Sequence, residues 1–146
     1  MRRGLTDGFE LDDDPARIDR KAVHAYLGGV SYWAAGRSRE TMDELIATAA
    51  RVVGLYTRSG EQVGFARVVS DCRTVSYLAD VYVLEEWRGR GFGLEVVRFA
   101  VDEQPIADTK VLLHTRDMHR LYVKLGFTEP GERAMERFPE LGARPD

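Results

Sequence analysis

Cysteine is almost absent. Cys72 stands alone in a chain of 146 residues, so no internal disulfide framework exists and a reducing cytoplasm is the expected compartment. No apolar run approaches the roughly 18 residues that a membrane span needs, so no membrane insertion is expected. Met1-Arg2-Arg3-Gly4 is basic, but no apolar segment follows it and a secretory signal is not expected. Neither sign of charge dominates. The 21 basic and 24 acidic residues mix along the chain to a net −3, which argues against a broad nucleic-acid surface. A local basic pocket around Arg88, Arg90 and Arg116 stays compatible with that balance. Histidine is scarce too, and His114 and His119 lie at i,i+5, off a common helical face and without a Cys or carboxylate cluster. No metal site is expected from them, and a packing or surface role fits better. Internal repeats and low-complexity segments are also missing.

What is present reads as one domain over 1–146, with flexible tails at 1–8 and 139–146. Phe9 to Leu11 suggests a short strand. Asp14 caps a helix with Pro15 at its first position and Ile18, Ala22, Ala25 and Tyr26 on one face, ending at Gly28-Gly29. Tyr32-Trp33-Ala34 lies in the following connection. Ser38 suits the N-cap of a second helix, Arg39 to Ala49, with Met42, Leu45, Ile46 and Ala49 inward. Val52 to Thr57 and Gln62 to Val69 read as a hairpin around Ser59-Gly60. Tyr77 to Val83 reads as a buried strand. A helix from Leu94 to Asp102 follows, with Leu94, Val97 and Val101 inward and opposite charges on the outer face. Lys110 to His114 is the next strand. Asp117 to Leu125 is a helix with Met118, Leu121, Tyr122 and Leu125 inward and Gly126 closing it, and Ala134 to Phe138 is a last strand. The order predicts an α/β (α+β) mixed, mostly antiparallel sheet of six to seven strands with about four helices on both faces.

The most informative stretch is Arg88-Gly89-Arg90-Gly91-Phe92-Gly93, between strand and helix. A Gly-rich turn there presents backbone N–H groups at a helix N-terminus, an arrangement that binds phosphate. A nucleotide P-loop requires Gly-Lys-Ser/Thr at its end, and this turn has Gly93-Leu94-Glu95. A dinucleotide fingerprint opened by Gly89 and Gly91 fails at Leu94 and comes too late in the chain. The pattern Arg/Gln-x-x-Gly-x-Gly/Ala is met in full by Arg88, Gly91 and Gly93. Downstream, Leu112 to Phe127 contains Leu121-Tyr122-Val123-Lys124-Leu125-Gly126-Phe127. The two motifs, in this order, make residues 77 to 127 resemble the GNAT superfamily of acetyl-CoA-dependent N-acetyltransferases.

The resemblance implies that acetyl-CoA lays its pyrophosphate on the backbone of Arg88, Gly89, Arg90, Gly91, Phe92 and Gly93. Gly91 and Gly93 would avoid a Cβ clash, Phe92 would offer only its backbone, and Arg88 and Arg90 would add charge. It implies that the backbone of Val81, Tyr82 and Val83 pairs with the pantetheine arm and polarises the thioester carbonyl. Thr115 and Arg116 fall where many relatives carry a cofactor-contacting Asn, which this chain lacks. Tyr122 matches a general acid that protonates the departing thiolate, whose conjugate acid resembles a cysteine thiol of pKa about 8.5; the competing role is a core tyrosine. Asp80 interrupts an apolar strand and is a candidate base. Its competing role is hydrogen bonding to a loop or to Arg67. Glu85 and Glu86 fit a solvated turn. Tyr32 and Trp33 border the acceptor pocket by resemblance, and are equally readable as core.

The function so implied is transfer of acetyl to a primary amine of a small molecule or peptide, with no metal. The alternative is a non-catalytic acyl-CoA-binding regulatory module. Relatives often form homodimers, although no exposed apolar stripe in the sequence demands one.

Overall fold

In a computed structural model, residues 1–139 are described, and the chain divides into two compact units, Met1–His114 and Thr115–Asp146. The first unit holds a six-stranded sheet in the order β1-β2-β3-β4-β5-β6. Its strands are β1 (Arg2–Gly4), β2 (Glu10–Asp12), β3 (Arg51–Tyr56), β4 (Gln62–Ser70), β5 (Val75–Val83) and β6 (Lys110–Leu112). All neighbours are antiparallel except β5 and β6. The helices are α1 (Arg20–Gly29), α2 (Arg39–Thr48) and α3 (Phe92–Val101), with a short α4 (His119–Val123) in the second unit. The expected mixed, mostly antiparallel architecture is the one observed.

The strand period of two separates the faces of the central hairpin. Val52 and Phe65 join Val23 and Leu27 of α1 and Met42 and Ile46 of α2 in one core cluster. α3 packs on β3, β4 and β5, burying Val96, Val97, Phe99 and Ala100. With helices against both faces, β3 and β4 are buried almost from end to end. Each fully buried aliphatic side chain contributes about 1.5–3 kcal/mol, so these two layers supply most of the cohesion.

Four local expectations need correction. Residues 1–8 are not a tail, because Arg2–Gly4 pairs with Glu10–Asp12 as the sheet edge. Arg2 Nε donates to Asp12 at 2.7 Å and Arg3 pairs with Glu103, so ion pairs hold a strand that shows no apolar alternation. Asp14 caps only a 3-10 turn at Pro15–Arg17, accepting from Ala16 N at 2.9 Å. Extended Ile18 then breaks the chain direction, and Asp19 caps α1 by accepting from Ala22 N at 2.9 Å. The buried stripe is therefore Val23 and Leu27, not Ala22 and Ala25. Asp117 does not cap α4; Thr115 Oγ1 instead accepts from Met118 N at 3.0 Å. No strand forms over Ala134–Phe138, where Glu136 and Arg137 interrupt the apolar residues and Met135 is almost fully exposed. The tail expected at 139–146 lies, beyond Pro139, outside the described residues.

Other expectations match closely. Ser38 Oγ accepts from Thr41 N at 3.1 Å at the start of α2. Glu95 and Arg98 pair on the outer face of α3 at 3.2 Å. Gly126, at φ 85°, follows α4, and Phe127 N donates to the Tyr122 carbonyl at 3.1 Å.

Candidate active site

β5 carries the site because its two sides differ. On one side β4 pairs along nearly its whole length; on the other, β6 pairs only with Val75–Tyr77. From Leu78 to Val83 that second side has no strand beside it among the described residues, so its outward backbone groups are open to an extended ligand. Tyr77 and His114 stand at the paired end, with 2.7 Å between the tyrosine hydroxyl and Nδ1.

Within the unpaired stretch the strand bends. Phe65 pairs with Tyr82 and Arg67 with Ala79, so Asp80 and Val81 together face Ala66 in a β-bulge. Asp80 adopts φ 55°, the left-handed region that Asp tolerates better than most side chains. Its carboxylate is then driven into a polar cluster. Oδ1 accepts from Trp33 Nε1 at 3.1 Å, and Oδ2 accepts from Arg37 Nη1 at 3.0 Å and Arg67 Nε at 2.8 Å. The Asp80 side chain is only 2% exposed. Both oxygens accept from donors of neighbouring elements, which matches the structural alternative for Asp80, hydrogen bonding to a loop and to Arg67. Arg67 is the partner expected from the sequence. Arg37 was not expected, and its only signal was a cation close after the aromatic pair Tyr32-Trp33.

Trp33 and Arg37 both belong to the α1–α2 connection, so Asp80 ties that connection to the bulge. The connection is itself internally bonded. Ser31 Oγ donates to the Leu27 carbonyl and accepts from Ala34 N, and Gly36 N donates to the Gly28 carbonyl at 3.0 Å. Tyr32 meets Trp33 edge-on at 5.1 Å and is 40% exposed, whereas Trp33 packs against the α1–α2 core. The pair therefore divides between surface and core.

At the end of β5 a 3-10 turn at Glu85–Trp87, with both glutamates exposed, leads into the Gly-rich segment. Gly91 is the N-cap of α3 at φ 81° and supplies no capping side chain. The first N–H groups of a helix have no intrahelical acceptor, and the helix dipole adds partial positive charge there. A Cβ placed on Gly89 or Gly91 would meet nothing within 4 Å, so the space above the turn is open. Phe92 does more than lend its backbone. Its ring is buried 4.5 Å from that of Phe9 and anchors the helix start.

The two arginines of the turn serve locally. Arg88 Nε donates to the Val83 carbonyl at 2.9 Å and Nη2 to the Tyr26 hydroxyl at 2.8 Å, bracing the strand end against α1. Arg90 lies over the Trp87 ring at 4.9 Å. Tyr82 stacks on Tyr26 at 4.0 Å, and burial, with nearby Tyr26 and Asp19, pushes its phenol well above the usual tyrosine range. It stays neutral, and its ring is a core element while its backbone lies on β5.

In the second unit, Tyr122 is buried on α4 and meets Phe127 edge-on at 5.6 Å. Thr115 is spent on the turn before α4, and Arg116 is exposed beside it. His119 lies 3.8 Å from Glu129. Among the described residues no group of three or more His, Cys, Asp or Glu side chains is arranged to hold a metal, and no helix is long and apolar enough to cross a membrane.

The bulged strand β5, unpaired on one side beyond Tyr77, is thus followed by a helix start that has no capping side chain. The family model for the acetyltransferase (GNAT) domain matches residues 32–129. A candidate acetyltransferase of Gibberella zeae is 31% identical over 142 residues, covering 83% of this chain and 80% of that protein. The crystal structure of a candidate GNAT-family acetyltransferase from Xanthomonas campestris pv. campestris superposes with a TM-score of 0.84 at 31% identity, covering 90% of this chain and 93% of that one. A second, from Deinococcus radiodurans R1, shares the fold at a TM-score of 0.72 and 22% identity, over 92% of each chain. This chain belongs to the GNAT acetyltransferase family.

Proposed function

We propose that this protein is an acetyl-CoA-dependent N-acetyltransferase acting on a primary amine of a small molecule or peptide. The observation that carries the reading is the continuity of β5. Its unpaired edge passes through the Asp80–Val81 bulge and ends at the open N-terminus of α3. The donor set fits acetyl-CoA, with strand backbone for an amide-bearing arm and helix N–H groups over glycine for a pyrophosphate. When bound, that cosubstrate supplies an activated acetyl thioester and a thiolate leaving group.

In this reading the backbone of Val81, Tyr82 and Val83 holds the arm and directs an N–H at the thioester carbonyl oxygen. The N–H groups from Gly89 to Gly93 hold the pyrophosphate, the Arg88 N–H being donated to the Glu85 carbonyl at 3.2 Å, with Thr115 and Arg116 as further contacts. As the uncharged amine bonds the acetyl carbon and the carbon–sulfur bond breaks, Tyr122 would donate its phenolic proton to the departing sulfur, and the proton lost by the amine would pass to water, which restores the phenol. Tyr32 and Trp33 flank the acceptor. Asp80 holds the bend of β5 and the position of the acceptor connection through its bonds to Trp33, Arg37 and Arg67.

Calorimetric titration with acetyl-CoA, followed by incubation with an amine panel while free CoA thiol is measured, tests this. Binding with amine-dependent thiol release is the expected result. Binding without release for any amine would favour an acyl-CoA-binding regulatory module, and absence of binding would overturn the reading of β5 and α3.

A further inference from the structure

We propose that Arg37 and Arg67 form an anion-binding subsite beside the β5 bulge, selecting acceptor amines that also carry a carboxylate or a phosphate. The proposal rests on the transferase reading and names the acceptor class.

Charge balance is the first argument. Arg37 and Arg67 converge on one oxygen of Asp80, at 3.0 and 2.8 Å, and neither has another acidic partner among the described residues. Their side chains are 21% and 9% exposed. One carboxylate thus faces two guanidiniums, an excess of cationic groups over acidic ones at a partly buried place that a further anion would offset. A clamp serving only to hold the α1–α2 connection needs one arginine and the Trp33 indole.

Donor geometry is the second. Arg67 uses Nε alone, and Arg37 uses Nη1 alone, shared between Asp80 and the Met42 sulfur, a weak acceptor, at 3.2 Å. Among the described residues their remaining nitrogens make no further hydrogen bond. They are also not sealed in, unlike Nε and Nη2 of Arg51 or Nε2 of Gln62. Two partly used planar forks thus keep donors with some solvent contact, on side chains 21% and 9% exposed, and such forks match carboxylate and phosphate oxygens. Their place fits an acceptor. Arg67 pairs with Ala79, next to the bulge, and Arg37 follows Tyr32 and Trp33 in the same connection.

The test uses the full chain saturated with CoA, so that the helix N-terminus is already filled. Thermal unfolding is followed with inorganic phosphate or acetate at fixed ionic strength, in the wild type, Arg37→Gln and, should that variant fold poorly, Arg37→Lys. Phosphate or acetate is expected to raise the wild-type midpoint, to leave Arg37→Gln unmoved, and to act weakly on Arg37→Lys, which keeps the charge but loses the fork. Turnover is then compared within matched amine pairs, an amino acid against its amide and an amino-sugar phosphate against the free amino sugar. The anionic member of at least one pair is expected to lead in kcat/KM by tenfold or more, with the ratio collapsing towards one in Arg37→Gln while acetyl-CoA affinity holds. The responsive pair separates carboxylate from phosphate. No shift in the wild type, equal shifts in wild type and Arg37→Gln, or equal use of neutral and anionic partners would overturn the subsite. If acetyl-CoA binds and no amine releases thiol, the transferase reading fails while the unfolding shift still decides the subsite.

Discussion

Two stretches of the chain around β5 solve opposite problems. Beyond β5 and the 3-10 turn that follows it lies the Gly-rich segment, where the proposed working groups are backbone N–H donors and Gly89 and Gly91 leave the space above them open. At Asp80 the same strand is filled by side chains from three elements, the carboxylate of β5, a guanidinium from β4 and an indole and guanidinium from the α1–α2 connection. The first region is damaged by adding atoms and the second by removing them. The contrast follows from what each holds. A ligand that comes and goes needs preformed space, whereas a bend kept against an unfavourable backbone angle needs permanent bonds.

The largest expected effect is at the filled region. Asp80→Ala leaves two largely buried guanidiniums without their carboxylate and is expected to destabilise the fold by about 3–5 kcal/mol, read from urea unfolding. A loss under 1 kcal/mol would mean that water replaces the carboxylate freely and that the cluster is not a brace. The open region should answer differently. Gly91→Trp is expected to weaken acetyl-CoA binding by at least tenfold, roughly 1.4 kcal/mol by calorimetry, with a stability loss of only about 1 kcal/mol from the left-handed backbone angle. Unchanged affinity would remove the turn from the cofactor site.

Tyr122→Phe sharpens the contrast by removing a single oxygen. Unfolding should stay close to wild type, while turnover falls roughly tenfold or more at unchanged acetyl-CoA affinity. Full activity would return Tyr122 to the core. The smallest effect is a control distant in chemistry from both regions. Ser38→Ala removes the cap of α2 and should cost about 1 kcal/mol of stability without altering acetyl-CoA affinity.

Legibility from sequence was uneven for identifiable reasons. The Gly-rich strand-to-helix turn was readable because left-handed backbone at Gly89 and Gly91 demands glycine, and that demand is local. The α2 cap and the closing Gly126 were readable for the same reason. The face of α1 was misread because Asp14 and Asp19 offer equivalent caps, and choosing the earlier one rotates the helix stripe away from Val23 and Leu27. β1 was missed because its stability comes from Arg2 and Arg3 reaching acids far along the chain. Asp80 stood out as an anomaly in an apolar strand, but its role depended on Arg37, 43 residues away.

The sequence by itself determined the family-bearing motifs, the helix and strand types around them and the α/β class, since these follow from periodicity, caps and glycine spacing over a few residues. Only the tertiary structure decided that β6 leaves β5 after Tyr77, that β5 bulges at Asp80 and that the Asp80 carboxylate meets Trp33, Arg37 and Arg67. Register, splay and ion pairing are set by contacts between distant segments, and no local pattern encodes which of several charged residues will meet.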